Sequence, residues 1–352
     1  MEQITDFIMN GQAHGDVAHI LLANDMDVNA LRPFIGQDGG NYRTVIKNGK
    51  ASVIRVNTTA TLRRDDWKVF DDAVVKVARE RLQAVADLLA AGLTFSIPNG
   101  FGKTVLETET QSDINDASIS MDANRDNAND RPEWEPTSLP LPVTHKDFSF
   151  SSRQIAASRN GGSPLDTTMA EEAARKVSES NEKLLLGRIS SYTYGGGTIY
   201  GYTNFPSRLT KTITAPTTGG WTGATLLNEL LAARTQLQAA FHFGPYLLYV
   251  APAWDQYIDN DFKAASDKTL RNRIAEVSNF STPKTLDFLQ NNDVLMIQMT
   301  PSVIREVIGM PITTVQWPTN GGLTLNYKVM NIMVPQLRAD QNDNTGILHA
   351  SS

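Results

Sequence analysis

Residues 161–206 read GGSPLDTTMAEEAARKVSESNEKLLLGRISSYTYGGGTIYGYTNFP, and this stretch decides the fold. Ser163 or Asp166 can accept from the first free N–H groups of a helix, and Pro164 suits an early helical position. Thr168 and Glu171 have capping-box spacing. Met169, Ala173, Val177, Leu184 and Leu185 then mark one face at helical spacing. The pattern predicts a helix over 167–188, about 22 residues and about 33 Å long. That is long for an ordinary domain helix. Gly195-Gly196-Gly197 follows as a stop and hinge, and then a short YGYTN signature at 200–204.

Composition narrows the function classes. The chain has 352 residues, 41% hydrophobic and 20% charged, which describes a soluble globular protein of one large or two ordinary domains. No apolar run approaches the roughly 18 residues a membrane span needs. The opening MEQITDFIMNGQAHGD has neither a basic n-region nor an apolar h-region, so no signal peptide is expected. With no cysteine, disulfides, thiolate nucleophiles and cysteine metal sites are excluded, and a reducing cytoplasm is the expected place of assembly. The formal net charge is −6, and its location matters more than its size. Between Thr104 and Glu135 nine acids face only Arg125 and Arg131, a local −7 that leaves the rest of the chain at +1. There is no basic stripe to mark a nucleic-acid-binding domain.

Outward from the helix the chain alternates regular elements with excursions. Residues 1–63 are turn-rich, with a possible short helix at Val17 to Asn24 and short strand-like pieces set off by Gly39-Gly40 and Asn48-Gly49; they read as an arm whose hydrophobic partners lie elsewhere. Trp67, Phe70, Val74, Val77, Leu82, Val85 and Leu89 predict a helix over 64–92 ended by Gly92. TVLETETQ alternates as an outgoing strand, DINDASISMDANRDNANDRPEWEP is a polar tip, and SLPLPVTHKDFSFS alternates as a returning strand. Such a two-stranded excursion needs another surface to lie on. Trp221 to Phe241, Trp254 to Ser266 and Leu270 to Val277 read as helices; GPYLLYVAP, DVLMIQMT, VIREVIGM and LTLNYKVMNIMVPQL read as strands.

The order of these pieces, with the G-x-P-x-D … E-x-A-x-K-V pattern of the long helix, resembles the encapsulins and the tailed-phage major capsid proteins over roughly residues 64–348. The resemblance implies an α+β, HK97-type capsid fold. It divides the chain into an N-terminal arm (1–63), a peripheral-domain helix (64–92), an extended loop (93–150), a peripheral domain with the spine helix (151–212), an axial domain (213–322) and a returning peripheral-domain strand with the C-terminus (323–352). It implies a structural protein and not an enzyme: a major capsid protein that self-assembles through hexamers and pentamers into an icosahedral head around phage double-stranded DNA, without sequence-specific binding. The alternative is an encapsulin shell around protein cargo. Decoration, portal or scaffold proteins would be its partners, and the virion its location.

The sequence offers little chemistry to compete with this. Gly102-Lys103-Thr104 imitates the end of a Walker A loop, but Ile97 stands where the first glycine belongs and a helix precedes where a strand should. Gly195, Gly197 and Tyr200 miss a dinucleotide fingerprint. His14, His19, His145, His242 and His349 form no zinc-ligand pair, and no nucleophile elbow accompanies them. Asp122, Asn124, Asp126, Asp130 and Glu133 occupy EF-hand-like positions, but Asn127 replaces the glycine and no amphipathic helices flank the loop. No metal and no cofactor are therefore expected. For inter-subunit contact the candidates are Glu107, Glu109, Asp113 and Asp116 on the acidic loop, facing Arg175, Lys176, Lys183 and Arg188 on the spine helix of a neighbour.

Overall fold

A computed structural model describes residues 32–47, 50–57, 60, 62–98, 100–111, 119, 121, 131–160, 167–263, 268–290 and 292–352. The possible helix at Val17 to Asn24, the cap residues Ser163, Pro164 and Asp166, His14 and His19 lie outside the described residues. The chain forms two compact units.

The first unit holds described residues up to 104, with 141–190 and 305–336. Its centre is a four-stranded sheet in the order β5 (Thr94–Ser96), β15 (Ile304–Thr319), β16 (Thr324–Leu337), β8 (Thr144–Ser151). Helix α1 (Arg64–Arg81) buries Trp67, Phe70, Val74 and Ala78, and the Arg63 N–H donates to Asp66 Oδ2 at 2.9 Å at its start. Phe70, Phe148, Phe150 and Tyr327 form an aromatic cluster, the Phe148 and Tyr327 rings stacked with centroids 5.2 Å apart.

The helix expected over 64–92 is two. It breaks at Leu82, whose backbone is extended, and resumes as α2 (Ala84–Ala90). The apolar pattern does not call for this break: Leu82, four residues beyond buried Ala78, would stay on the buried stripe of a continuous helix. The amides exposed by the new terminus are met by Glu182, which accepts from Ala84 N at 2.6 Å and Val85 N at 3.3 Å.

Residues 32–63 also differ from expectation. They build a second sheet, ordered β3 (Lys50–Arg55), β2 (Asn41–Lys47), β1 (Phe34–Ile35), β4 (Leu62–Arg63), and part of this segment clasps its own chain. Arg32 pairs with buried Asp71 at 2.6 Å and lies 4.5 Å from the Trp67 ring, while Trp67 Nε1 donates to the Pro33 carbonyl at 3.1 Å. Phe34 packs against the aromatic core. Arg32, Pro33 and Phe34, within the expected arm, thus pack on their own chain.

After α3 (Ser152–Asn160), which the sequence reading missed, comes α4 (Thr168–Leu186), the long helix. Thr167, not Thr168, stands at its N-cap position, where its hydroxyl donates to Glu171 Oε1 at 2.8 Å and caps no helix amide. Its buried stripe runs through Ala170, Ala173, Val177, Asn181 and Leu185, whereas Met169, assigned inward by the sequence pattern, is exposed. The helix ends at Gly187, left-handed at φ 75°, and not at the triple glycine.

The second unit holds 105–140, 191–304 and 337–352. Its main sheet is ordered β11 (Leu209–Thr212), β17 (Ile347–Ser351), β14 (Val294–Gln298), β12 (Tyr246–Val250), β13 (Lys284–Thr285). Strand β17 lies between β11 and β14, so residues 337–352 belong here, whereas 305–336 belong to the first unit. The division thus differs from the expected 213–322 and 323–352. Helix α5 (Gly223–Ala239) is capped by Thr222. The helix expected from Trp254 to Ser266 is the short α6 (Asp255–Ile258), because the Asn260 carbonyl accepts from Leu270 N at the start of α7 (Leu270–Ala275) instead of continuing a helix.

Candidate assembly interface

The acidic excursion is a ribbon of β6 (Val105–Gln111) and β7 (Trp134–Pro140), paired antiparallel from Val105↔Pro140 to Gln111↔Trp134. The sequence placed the return at 138–151; the structure splits that stretch at 141–143, with β7 closing the ribbon and β8 entering the sheet of the first unit. Pro142 sits in that break, where no amide is required of it.

At its base the ribbon carries a second hairpin, β9 (Tyr192–Tyr194) and β10 (Gly197–Ile199). The expected glycine hinge is the turn of this hairpin: Gly195 and Gly196 both have positive φ, 59° and 80°, as a two-residue turn of matching twist requires. Gly197 lies so close to β7 that a Cβ there would stand 2.0 Å from the Ser138 carbonyl oxygen.

Away from that base the ribbon is bare. Residues 134–137 are all exposed, as are Glu107 and Glu109. The register puts Glu107, Glu109 and Gln111 on one face with Trp134, Pro136 and Ser138. Trp134, 57% exposed, is the residue the sequence reading passed over; its signal was a large aromatic between two acids, Glu133 and Glu135, in a polar run. Asp113 and Asp116 lie outside the described residues, as do Asp122, Asn124, Asp126 and Asp130. Glu133 is exposed, and among the described residues no group of three or more acidic or histidine side chains could hold a metal.

The four cations of α4 and its end do not form a free positive strip. Arg175 pairs with Glu172, and also with Glu179 at 3.3 Å; Lys176 lies 3.4 Å from Glu179. Lys183 and Arg188 are half-buried. Arg175 and Lys176 remain at the surface, where such pairs exchange readily.

The model of a family of unknown function, DUF6260, matches residues 57–350. The chain belongs to the DUF6260 family. This DUF6260 chain is 24% identical over 195 residues to the type 1 encapsulin shell protein EncA of Myxococcus xanthus (strain DK1622), a match covering 54% of this chain and 61% of EncA. It thus spans less than two thirds of that relative. Among solved structures it is similar to the virus-like particle from Pyrococcus furiosus (TM-score 0.57, 14% identity, 80% of this chain and 98% of that one). It is also similar to the capsid of Myoviridae phage XM1 (TM-score 0.58, 10% identity, 74% and 90%). The DUF6260 chain has the α+β, HK97-type capsid fold.

Proposed function

We propose that this DUF6260 protein is the major capsid protein of a tailed phage, self-assembling through hexamers and pentamers into an icosahedral head around double-stranded DNA. The observation that carries the reading is the ribbon: a capsid fold bearing a two-stranded, acidic element with an exposed Trp134, which its own unit leaves bare along most of its described length. Two strands alone are marginal in water, so the ribbon calls for a neighbour to lie on. Glu107, Glu109, Asp113 and Asp116 would then face Arg175, Lys176, Lys183 and Arg188 of another copy. The mechanism is assembly and not turnover. Its place would be the virion, assembled in the host cytoplasm, with decoration, portal or scaffold proteins as partners.

The encapsulin shell is the second reading, and the EncA match favours it. The phage reading draws on the long acidic ribbon and on the residues preceding the family match, which begins at residue 57. The packaged content separates them. Particles isolated from infected cells should contain densely packed DNA; particles holding a protein cargo and no DNA would reverse the ranking. A chain that stays a monodisperse monomer at high concentration under all assembly conditions would remove both.

A further inference from the structure

Two carboxyls lie inside the first unit with almost no access to solvent: Glu182 on α4 and Glu306 on β15, each 1% exposed. Glu182 closes the α2 terminus through the amides of Ala84 and Val85. Glu306 has its backbone N–H bound to the Leu93 carbonyl at 2.8 Å, but its Oε2 has no hydrogen-bond partner among the described residues. The surroundings are polar and under-satisfied: Ser178 Oγ and both amide atoms of Asn181 on α4, and both of Asn331 on β16, are buried in the same condition.

The register brings these groups to one side of the sheet. Arg305 Nε donates to Gln336 Oε1 at 2.6 Å, and Gly309 lies against the Ile332 side chain, which sets Glu306 opposite Pro335 and Met310 opposite Asn331. Glu306 and Asn331 therefore share the face that carries Tyr327, and Tyr327 belongs to the core cluster that includes Ala170 of α4. The buried polar side of α4 meets the one buried acid of β15 there.

An ionised carboxylate without a cation in such a place neutralises instead. Burial pushes Glu182 up to about 7, against the pull of the Ala84 and Val85 amides, and pushes Glu306 up to about 8, with the charge of Glu182 adding to the effect. Other charged groups on the packed elements do not relieve this. Asp87 of α2 pushes Glu182 further up. On α1, Asp71 is held by Arg32 and Arg79 and Glu80 are exposed, with Arg81 part-exposed; on β8, His145, Lys146 and Asp147 are exposed. On α4, Glu179 is bound by Arg175 and Lys176 and Lys183 is half-buried; on β15 and β16, Arg305 stands over the Phe95 ring and Lys328 faces Asp147.

We propose that Glu182 and Glu306 together hold one proton at neutral pH, a proton-binding site inside the α4–β15 packing, and that its loss loosens α4 from the sheet and from the α2 terminus. Glu306 carries the proton, and Glu182 stays the acceptor of the α2 amides. Both groups titrate above the ordinary 4.5 of a glutamate, so the folded chain holds more protons than the unfolded one between that value and about 8. Their contribution to stability is complete below pH 4.5 and is lost as pH rises through 7 to 8.

Infrared spectroscopy of the purified full chain, assembled or not, reads the proton directly. The wild type at pH 6 should show the C=O band of protonated carboxylic acid, lost by pH 9 and reduced in Glu306→Gln to the share of Glu182. In denaturant unfolding of the unassembled chain, the folding equilibrium should weaken by up to about tenfold per pH unit per proton across this range, and Glu306→Gln, neutral at every pH, should lose the Glu306 share of that slope. No acid band in the wild type at pH 6, an unchanged band in Glu306→Gln, or identical pH slopes in both proteins would overturn the proposal. Should Glu306→Gln not fold, the wild-type band decides alone: present at pH 6 and lost by pH 9 supports the site, absent at pH 6 sinks it. None of these readouts depends on whether the shell holds DNA or protein.

Discussion

Asp71 stands in the middle of the apolar stripe of α1, 2% exposed, and Arg32 alongside it is 5% exposed. A charge at such a position is tolerable only as half of a pair, so removing one member is costlier than removing both. Asp71→Asn should destabilise the unassembled chain by about 3–5 kcal/mol, measured as a fall in the denaturant midpoint. Arg32→Met with Asp71→Leu should recover most of the loss, and a double variant as unstable as the single one would show that the pair does more than neutralise itself. Gly197 makes a different kind of demand. A Cβ 2.0 Å from the Ser138 carbonyl cannot be accommodated by a side chain moving aside, because the obstacle is the backbone of a paired strand. Gly197→Val should free the β9–β10 hairpin from the ribbon base and speed hydrogen exchange at the amides of 137–139, leaving the first unit unchanged. Neither demand was legible in the sequence. Asp71 reads as an ordinary solvated acid between Phe70 and Val74, and its partner lies 39 residues away. Glu182 likewise reads as a surface residue of a charged helix, because nothing local announces that α4 will be covered by α1, α2 and β8 together.

Elements were easier to read where their signal is local. The long helix and the core strands of both units follow from periodicity alone, and α4 differs from its expected bounds by a residue or two. Misplacements came where a partner decided the outcome. The single helix over 64–92 breaks because Glu182, about a hundred residues later, supplies the acceptors a new N-terminus needs. The returning strand was placed too late because Trp134 to Pro136, read as a Pro-broken tip, pairs with 109–111. That shift moves Trp134 from a loop onto the ribbon, on the face of Glu107 and Glu109. An exposed tryptophan beside carboxylates fits a surface offering both an apolar patch and cations. Trp134→Ser should leave the thermal unfolding of the unassembled chain within about 0.5 kcal/mol, and should lower shell yield in sedimentation. Equal yield would take Trp134 out of the interface.

At the scale of the whole molecule the chain passes between its two units five times, and β5 finds β15 some two hundred residues away. Such long-range pairing has no sequence signal, which is why the order of elements was readable and the membership of 305–336 and 337–352 was not. The same separation makes the ribbon testable apart from the fold. The aromatic core of the first unit and the five-stranded sheet of the second are built from residues outside 112–131. Deleting Ser112 to Arg131 should therefore leave a folded subunit, with the near-UV circular dichroism of the intact chain. It also removes five of the nine acids together with both arginines, a net −3 of the local −7, so the effect should appear in assembly. Each exposed ion pair is worth only about 0–1 kcal/mol, so single neutralisations at Glu107 or Glu109 should change shell yield little, whereas the deletion should lower it clearly. Salt supplies the control: screening acts over about 10 Å at 0.1 M, so raising it should weaken early oligomers of the intact chain and affect the deletion less. Equal yield and equal salt dependence in the two proteins would mean that the acidic tip takes no part in holding subunits together.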